Sequence, residues 1–344
     1  MKALVYKSLG EVELQERPQP ELVKSTDAII RITKTTICGS DLHIRQGHVS
    51  TCTPGRVLGH EGVGIVEEAG SSVTKYKKGD HVLILCMTSC SSCEYCRKAM
   101  YSHCTSGGWL LGNTIDGCQA EYVRVPHADS SLLSVPEGVD EGSLVMLSDS
   151  FPTGYEVGTL AGKVAPGGTV VIIGVGPIGM ASLITAQWLS PSVIIAVDND
   201  EGRLRTAKEM GATHTATAAN AAEVVKSATG SKGCDTVIEA VGIPATFALA
   251  QRLLAVGGTL ANVGVHGTKV ELFLDELWSH NITIKTSLVD TASVPMLLGL
   301  VQSGKLDAGK LVTHKFKFDE MEKAYQTFAN AAQHNCLKVL IEME

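Results

Sequence analysis

The chain has 344 residues, 44% of them hydrophobic and 19% charged, with a formal net charge of −7. That length suggests two domains, and that composition fills two apolar cores rather than leaving a disordered chain. The negative balance argues against a nucleic-acid partner, and no apolar run approaches the roughly 20 residues of a membrane helix, so neither nucleic acid nor membrane is expected as a partner.

The N-terminal MKALVYKSLG has no apolar core and no cleavage site of a secretory signal, so a cytoplasmic protein is expected. Over the first 150 residues, short β-branched stretches such as Ala28–Thr33, Gly64–Glu68 and His81–Leu85 alternate with turn signals such as Gly79-Asp80 and Pro136-Glu137-Gly138. That pattern predicts a mostly β domain. Near Thr153 the character changes. Thr169–Ile173 reads as a buried strand ending in glycine, Ile178–Leu189 as a helix and Val193–Val197 as the next strand. Glu201–Met210 reads as a helix stopped by Gly211. Strand Thr236–Glu239, helix Thr246–Leu254 and strands Thr259–Val263 and Ile282–Thr286 follow. This alternation predicts an α/β fold with a parallel, doubly wound sheet. Past about residue 290 come a helix near Pro295–Ser303 and mixed elements.

Gly174-Val175-Gly176-Pro177-Ile178-Gly179 is a GxGxxG between a strand and a helix. Gly174 permits the tight turn, Gly176 lets a pyrophosphate approach the backbone, and Gly179 lets helix and strand pack closely. The phosphates then sit on the unpaired N–H groups of a helix N-terminus. Asp198 ends the second strand, nineteen residues beyond Gly179. A carboxylate there accepts from ribose hydroxyls and repels a 2′-phosphate, which favours NAD over NADP. Arg203 weighs the other way if its guanidinium offsets that repulsion; its plainer reading is a surface arginine.

Four of the ten cysteines, Cys90, Cys93, Cys96 and Cys104, lie within fifteen positions. Four thiolates on one compact loop suit a closed, tetrahedral structural zinc. An iron–sulfur cluster is the competing reading, but its usual continuation places the fourth cysteine three residues on, before proline. Here seven residues intervene and Thr105 follows, which favours zinc. Cys52, Cys86, Cys118, Cys234 and Cys336 read as small buried apolar residues.

Three further stretches carry donors: Cys38-Gly39-Ser40-Asp41-Leu42-His43, Gly59-His60-Glu61-Gly62-Val63-Gly64, and Ser148-Asp149 followed by Pro152-Thr153-Gly154. The second is not the HExxH of metalloproteases, because Gly64 stands where the second histidine belongs. Taken together and in order, these motifs resemble the zinc-containing medium-chain dehydrogenase/reductase family. The SD-x-x-PTG stretch is similar to the branch of microbial secondary alcohol dehydrogenases, and CGSDLH is also similar to threonine and butanediol dehydrogenases.

The resemblance implies a Rossmann NAD-binding domain over residues 153–290 and a mostly β, GroES-like catalytic domain built from 1–152 and 291–344. It implies two zinc ions per chain. Cys38, His60 and Asp149 would hold the catalytic one, with Glu61 as a fourth or exchanging ligand and one position open for substrate. Ser40 and His43 match a proton relay that passes over the cofactor ribose to water. Thr153, Ile178, Arg203, Val263, Gly264, Val265, Ser287 and Leu288 match positions that line the cofactor. Trp109 matches a substrate-pocket aromatic, with core packing as its plainer reading. The implied reaction moves hydride between a small, secondary alcohol and NAD, in a homotetramer or dimer. Polyols, vicinal diols and threonine stay open as substrates, because pocket shape decides among them. A non-catalytic nucleotide-binding protein is the rival of a different class, disfavoured because every zinc-ligand position is kept.

Overall fold

The computed structural model describes residues 1–343. The chain forms two compact units, one of residues 1–149 with the segment from Asp290 onward, the other Ser150–Val289. The first break falls three residues before Thr153, because buried Ser150, Phe151 and Pro152 pack on the helix Pro177–Gln187 of the second unit.

The first unit opens with β1 (Lys2–Ser8), β2 (Glu11–Glu16), β3 (Ala28–Thr36), β4 (Arg56–Val57), β5 (Gly62–Ala69), β6 (His81–Ile84), β7 (Tyr122–Val125) and β8 (Leu132–Ser134). β2, β1 and β4 make a small sheet in that order. The second unit contributes β9 (Thr169–Ile173), β10 (Val193–Val197), β11 (His214–Ala216), β12 (Cys234–Glu239), β13 (Leu254–Asn262) and β14 (Thr283–Thr286). The chain then returns to the first unit with β15 (Val312–Lys317) and β16 (Lys338–Glu342). The larger sheet of that unit runs β15-β16-β3-β5-β6-β8, with β7 also paired to β3. Thus the last strand lies against β3, with Leu340 opposite Thr36. Ile30, Ile32, Val66, Val82 and Ile84 fill one core, and Leu4, Ile37, Leu58, Tyr325, Phe328, Val339 and Ile341 another. The second of these needs both ends of the chain, so neither end can bury its apolar face alone.

In the second unit all six strands are parallel, in the order β11-β10-β9-β12-β13-β14. β9 and β10 are buried along nearly their whole length, as apolar strands covered on both faces must be. The order reverses between β9 and β12, which puts the ligand crevice at the carboxyl ends of those strands. β11 and the helix Ala221–Thr229 have no counterpart among the elements expected from sequence; a three-residue strand is too short to show a period. No helix among the described residues is long and apolar enough to cross a membrane.

Candidate active site

Three separate turns of the first unit deliver side chains to one point. Cys38 lies two residues past the end of β3, in extended conformation, and caps the helix Gly39–Arg45. Asp41, in the first turn of that helix, accepts a hydrogen bond from Cys38 N at 2.9 Å. His60 and Glu61 precede β5. Gly59 before them has φ +92°, and a Cβ there would lie 2.9 Å from Gln119 N, so only glycine makes this approach. Asp149 is fixed through its neighbour, because Ser148 Oγ accepts from Gly62 N at 3.2 Å.

Donor atoms of Cys38, His60, Glu61 and Asp149 all lie within 4.8 Å of one another, and all four residues are buried. Cys38 Sγ is 3.3 Å from Asp149 Oδ2, and His60 Nε2 is 3.5 Å from the same oxygen. Tetrahedral zinc with ligand bonds of 2.0–2.3 Å needs donors about 3.3–3.8 Å apart, so this spacing fits. Burial pushes the Cys38 thiol and the Glu61 carboxyl up, with Asp149 adding to both. Burial pulls His60 down, but hydrogen bonds with Asp149 and Cys38 raise it well above an ordinary imidazole. A thiol, an imidazole and two carboxyls so close in the interior want a shared cation. Glu61 Oε2 is buried with no hydrogen-bond partner among the described residues, which also suits a metal site.

Behind the donors stands a set of residues that sequence reasoning missed. Lys338, on β16, is 1% exposed and reaches Glu61 Oε1 at 2.7 Å. Burial lowers its pKa, but Glu61 and Cys38 outweigh that and keep the ammonium charged. Tyr325 Oη donates to Gln119 Oε1 at 2.8 Å, and Gln119 Nε2 donates to Asp41 Oδ2 at 3.1 Å. The returning segment thereby braces the Cys38 turn. A lysine inside the apolar run Cys336–Ile341 was the available signal.

Ser40 and His43 lie three residues apart on the helix Gly39–Arg45, hence on one face. The Cys38 thiol points to Ser40 Oγ at 3.8 Å. His43 is half-buried, and its Nδ1 is 3.3 Å from His48 Nδ1. Burial, then the charge of His48, lower its pKa. Trp109 packs at the edge of the core and stands edge-on to His60, ring centres 5.8 Å apart.

The second donor group is the cysteine lobe. Sγ atoms of Cys90, Cys93, Cys96 and Cys104 lie within 4.8 Å of one another. Cys93 N donates to Cys90 Sγ at 3.4 Å, Cys96 N to Cys93 Sγ at 3.5 Å and Cys90 N to Cys104 Sγ at 3.2 Å. Burial opposes ionisation of Cys90, but hydrogen bonds from Ser92 and Cys93 bring it down to about 5. Amides of Cys96 and Thr105 bring Cys93 to about 7, whereas burial and the neighbouring thiols push Cys96 up to about 12. Amides turned toward sulfur prepare thiolates for a metal.

The nucleotide positions gather at the carboxyl ends of the parallel strands. Gly174 has φ +85°, and a Cβ on Gly179 would strike the Gly174 carbonyl. A Cβ on Gly176 would meet nothing among the described residues nearer than Arg203 Nη1 at 3.9 Å. Packing within the chain therefore explains the first and third glycines but not the second. The space over Gly176 fits a pyrophosphate lying against the backbone. Asp198 accepts from Val175 N and Asp200 N at 3.0 Å each, and Arg203 Nη1 is 3.8 Å away. Ile178 is half-buried in the first helical turn, and Thr153 begins the helical segment Thr153–Leu160. Val263 and Gly264 follow β13 half-buried; Val265, Ser287 and Leu288 are exposed.

A chain that carries a dinucleotide sheet and two such donor groups has the make-up of a zinc-binding dehydrogenase. Residues 24–137 match the alcohol dehydrogenase GroES-like domain family, and residues 177–303 the zinc-binding dehydrogenase family. An alcohol dehydrogenase of Cupriavidus necator is 35% identical over 99% of this chain and 98% of its own length. The apo form of zinc dependent alcohol dehydrogenase 2 from Streptococcus pneumonia superposes with TM-score 0.96 at 50% identity, over 100% of this chain and 99% of that one. A zinc-binding dehydrogenase of Sinorhizobium meliloti bound to NADP gives 0.86 at 28%, over 99% and 98%. An alcohol dehydrogenase of Escherichia coli complexed with NADH gives 0.89 at 26%, over 99% of each chain. The chain belongs to the zinc-containing medium-chain alcohol dehydrogenases.

Proposed function

We propose that this alcohol dehydrogenase interconverts small secondary alcohols and their ketones with NAD, and that it holds two zinc ions per chain. The observation that carries the reading is the convergence of Cys38, His60, Glu61 and Asp149 on one buried point. Cys38, His60 and Asp149 are the ligands of the catalytic ion, and Glu61, held back by Lys338, is the exchanging one. The cysteine lobe holds the structural ion. When bound, zinc supplies the Lewis acidity that lowers the pKa of an alcohol hydroxyl. The nicotinamide supplies the hydride acceptor.

The chain's own residues do the rest. Ser40 Oγ accepts the hydroxyl proton beside Cys38 as it gives up its own toward His43, and His43, half-buried on the same helix, accepts a proton at one ring nitrogen and releases one to water. Burial and the charge of His48 favour the neutral form of His43, so it gives up a proton readily. Trp109 offers an apolar wall beside His60 that favours alkyl substituents over polar ones. Asp198 supports NAD, since a carboxylate just past the end of β10 accepts from adenosine ribose hydroxyls and repels a 2′-phosphate there.

The test is zinc per chain together with NAD and NADP reduction on 2-propanol, 2,3-butanediol and L-threonine. About two zinc with fastest NAD-linked turnover of 2-propanol is expected. Faster turnover of butanediol or threonine replaces the substrate; preference for NADP replaces the cofactor. About one zinc without turnover withdraws the catalytic assignment.

A further inference from the structure

One buried carboxylate belongs to neither zinc group nor to the glycine loop. Glu239, at the carboxyl end of β12, is fully buried. Its Oε1 accepts from Val241 N at 3.0 Å, Gly242 N at 2.9 Å and Thr246 Oγ1 at 2.8 Å. Its main-chain carbonyl accepts from Val263 N at 2.8 Å and Gly264 N at 2.9 Å. A single residue thus ties the turn after β12 to the turn after β13. The two turns also touch directly. A Cβ on Gly242 would run into the backbone of Val265, and one on Gly264 into Gly242 N. A Cβ on Gly174 would strike the Val241 side chain, so the glycine loop meets the same assembly. His266 closes it, with Nε2 2.8 Å from Asn262 Oδ1 and 3.6 Å from Glu239 Oε2.

A buried carboxylate is costly unless amides and hydroxyls satisfy it, so its retention at a strand end calls for a reason. The turns it joins expose apolar side chains: Val241 is 38% exposed, Ile243 48% and Val265 55%. Exposed apolar groups on two adjoining turns suit contact with an apolar ring. These turns lie across the order reversal from Gly176 and Asp198. A dinucleotide with its pyrophosphate on the glycine loop and its adenosine ribose at Asp198 must lay its other half over the ends of β12 and β13. We propose that Glu239 is the positioning residue of the nicotinamide half-site, holding the turns 241–243 and 263–265 as one apolar platform for the nicotinamide riboside. This inference rests on the dinucleotide reading given above.

The experiment measures NADH affinity by fluorescence quenching and AMP affinity by calorimetry on the full chain, with thermal unfolding alongside. Glu239→Ala is expected to weaken NADH about tenfold or more and AMP less than about twofold, because only the platform loosens. Glu239→Gln keeps an oxygen for Val241, Gly242 and Thr246 and is expected to recover most of the NADH affinity. Should Glu239→Ala fail to fold, Gly264→Ala parts the same turns and is expected to show the same split. Parallel weakening of NADH and AMP, unchanged NADH affinity, or a Gln variant as weak as the Ala one overturns the inference. Wild-type protein that binds neither nucleotide overturns the dinucleotide reading itself.

Discussion

The two donor groups of the first unit are built on opposite plans. The cysteine lobe draws four like donors from fifteen consecutive positions, half of them partly exposed, and turns backbone amides onto sulfur. The other group draws three kinds of donor from residues 38 to 149, buries all four, and leans on Lys338 from the returning tail. A local group takes all its donors from its own loop. A dispersed one needs the whole sheet, and gains in exchange a dry site with mixed donors. The first plan suits a closed site and the second a reactive one.

The comparison predicts separable losses. Asp149→Ala is expected to lower kcat by roughly 10³-fold or more while metal analysis still finds the lobe's zinc. Loss of both ions together would mean that the groups are not independent. Ser40→Ala removes a proton acceptor without touching a ligand, so kcat is expected to fall roughly 10²–10⁴-fold at unchanged zinc content. Near-normal turnover would remove Ser40 from the relay. Lys338→Met strands a buried Glu61 and is expected to cost about 3–5 kcal/mol, read as a fall in Tm. Adding Glu61→Gln is expected to restore part of that; no restoration would mean the ion pair is not the cause. Cys93→Ala is expected to have the smallest effect on turnover, with kcat within about threefold, a Tm lower by a few degrees and faster proteolysis inside residues 90–104. A large loss of kcat there would show that the lobe reaches the chemistry.

What could be read beforehand follows the same division between local and dispersed. Cys90 to Cys104 and Gly174 to Gly179 carry their geometry in spacing alone, because each sits on one turn or loop. Cys38, His60 and Asp149 stand out only as an ordered set of motifs; no spacing brings residues 38, 60 and 149 together. Lys338, Gln119 and Tyr325 escaped notice because each acts through a contact across the sheet, 277 residues apart for Lys338 and Glu61 and 206 for Tyr325 and Gln119. In the second unit, β9 and β10 were legible end to end as apolar runs, whereas His214–Ala216 was not, being too short for any pattern. In sequence Glu239 reads only as the end of a strand, since nothing there tells a carboxylate in solvent from one holding two turns.

The 277 residues between Glu61 and Lys338 also set a schedule for biosynthesis. At roughly 5–20 residues per second, Cys104 leaves the ribosome about 1–3 s after Cys90, but Lys338 follows Glu61 by about 14–55 s. A nascent chain therefore has all four cysteines of the lobe together almost at once. Its other donors must wait for their lysine and for β16 to complete the sheet beside β3. The reactive site therefore reaches its final form only once β16 has emerged.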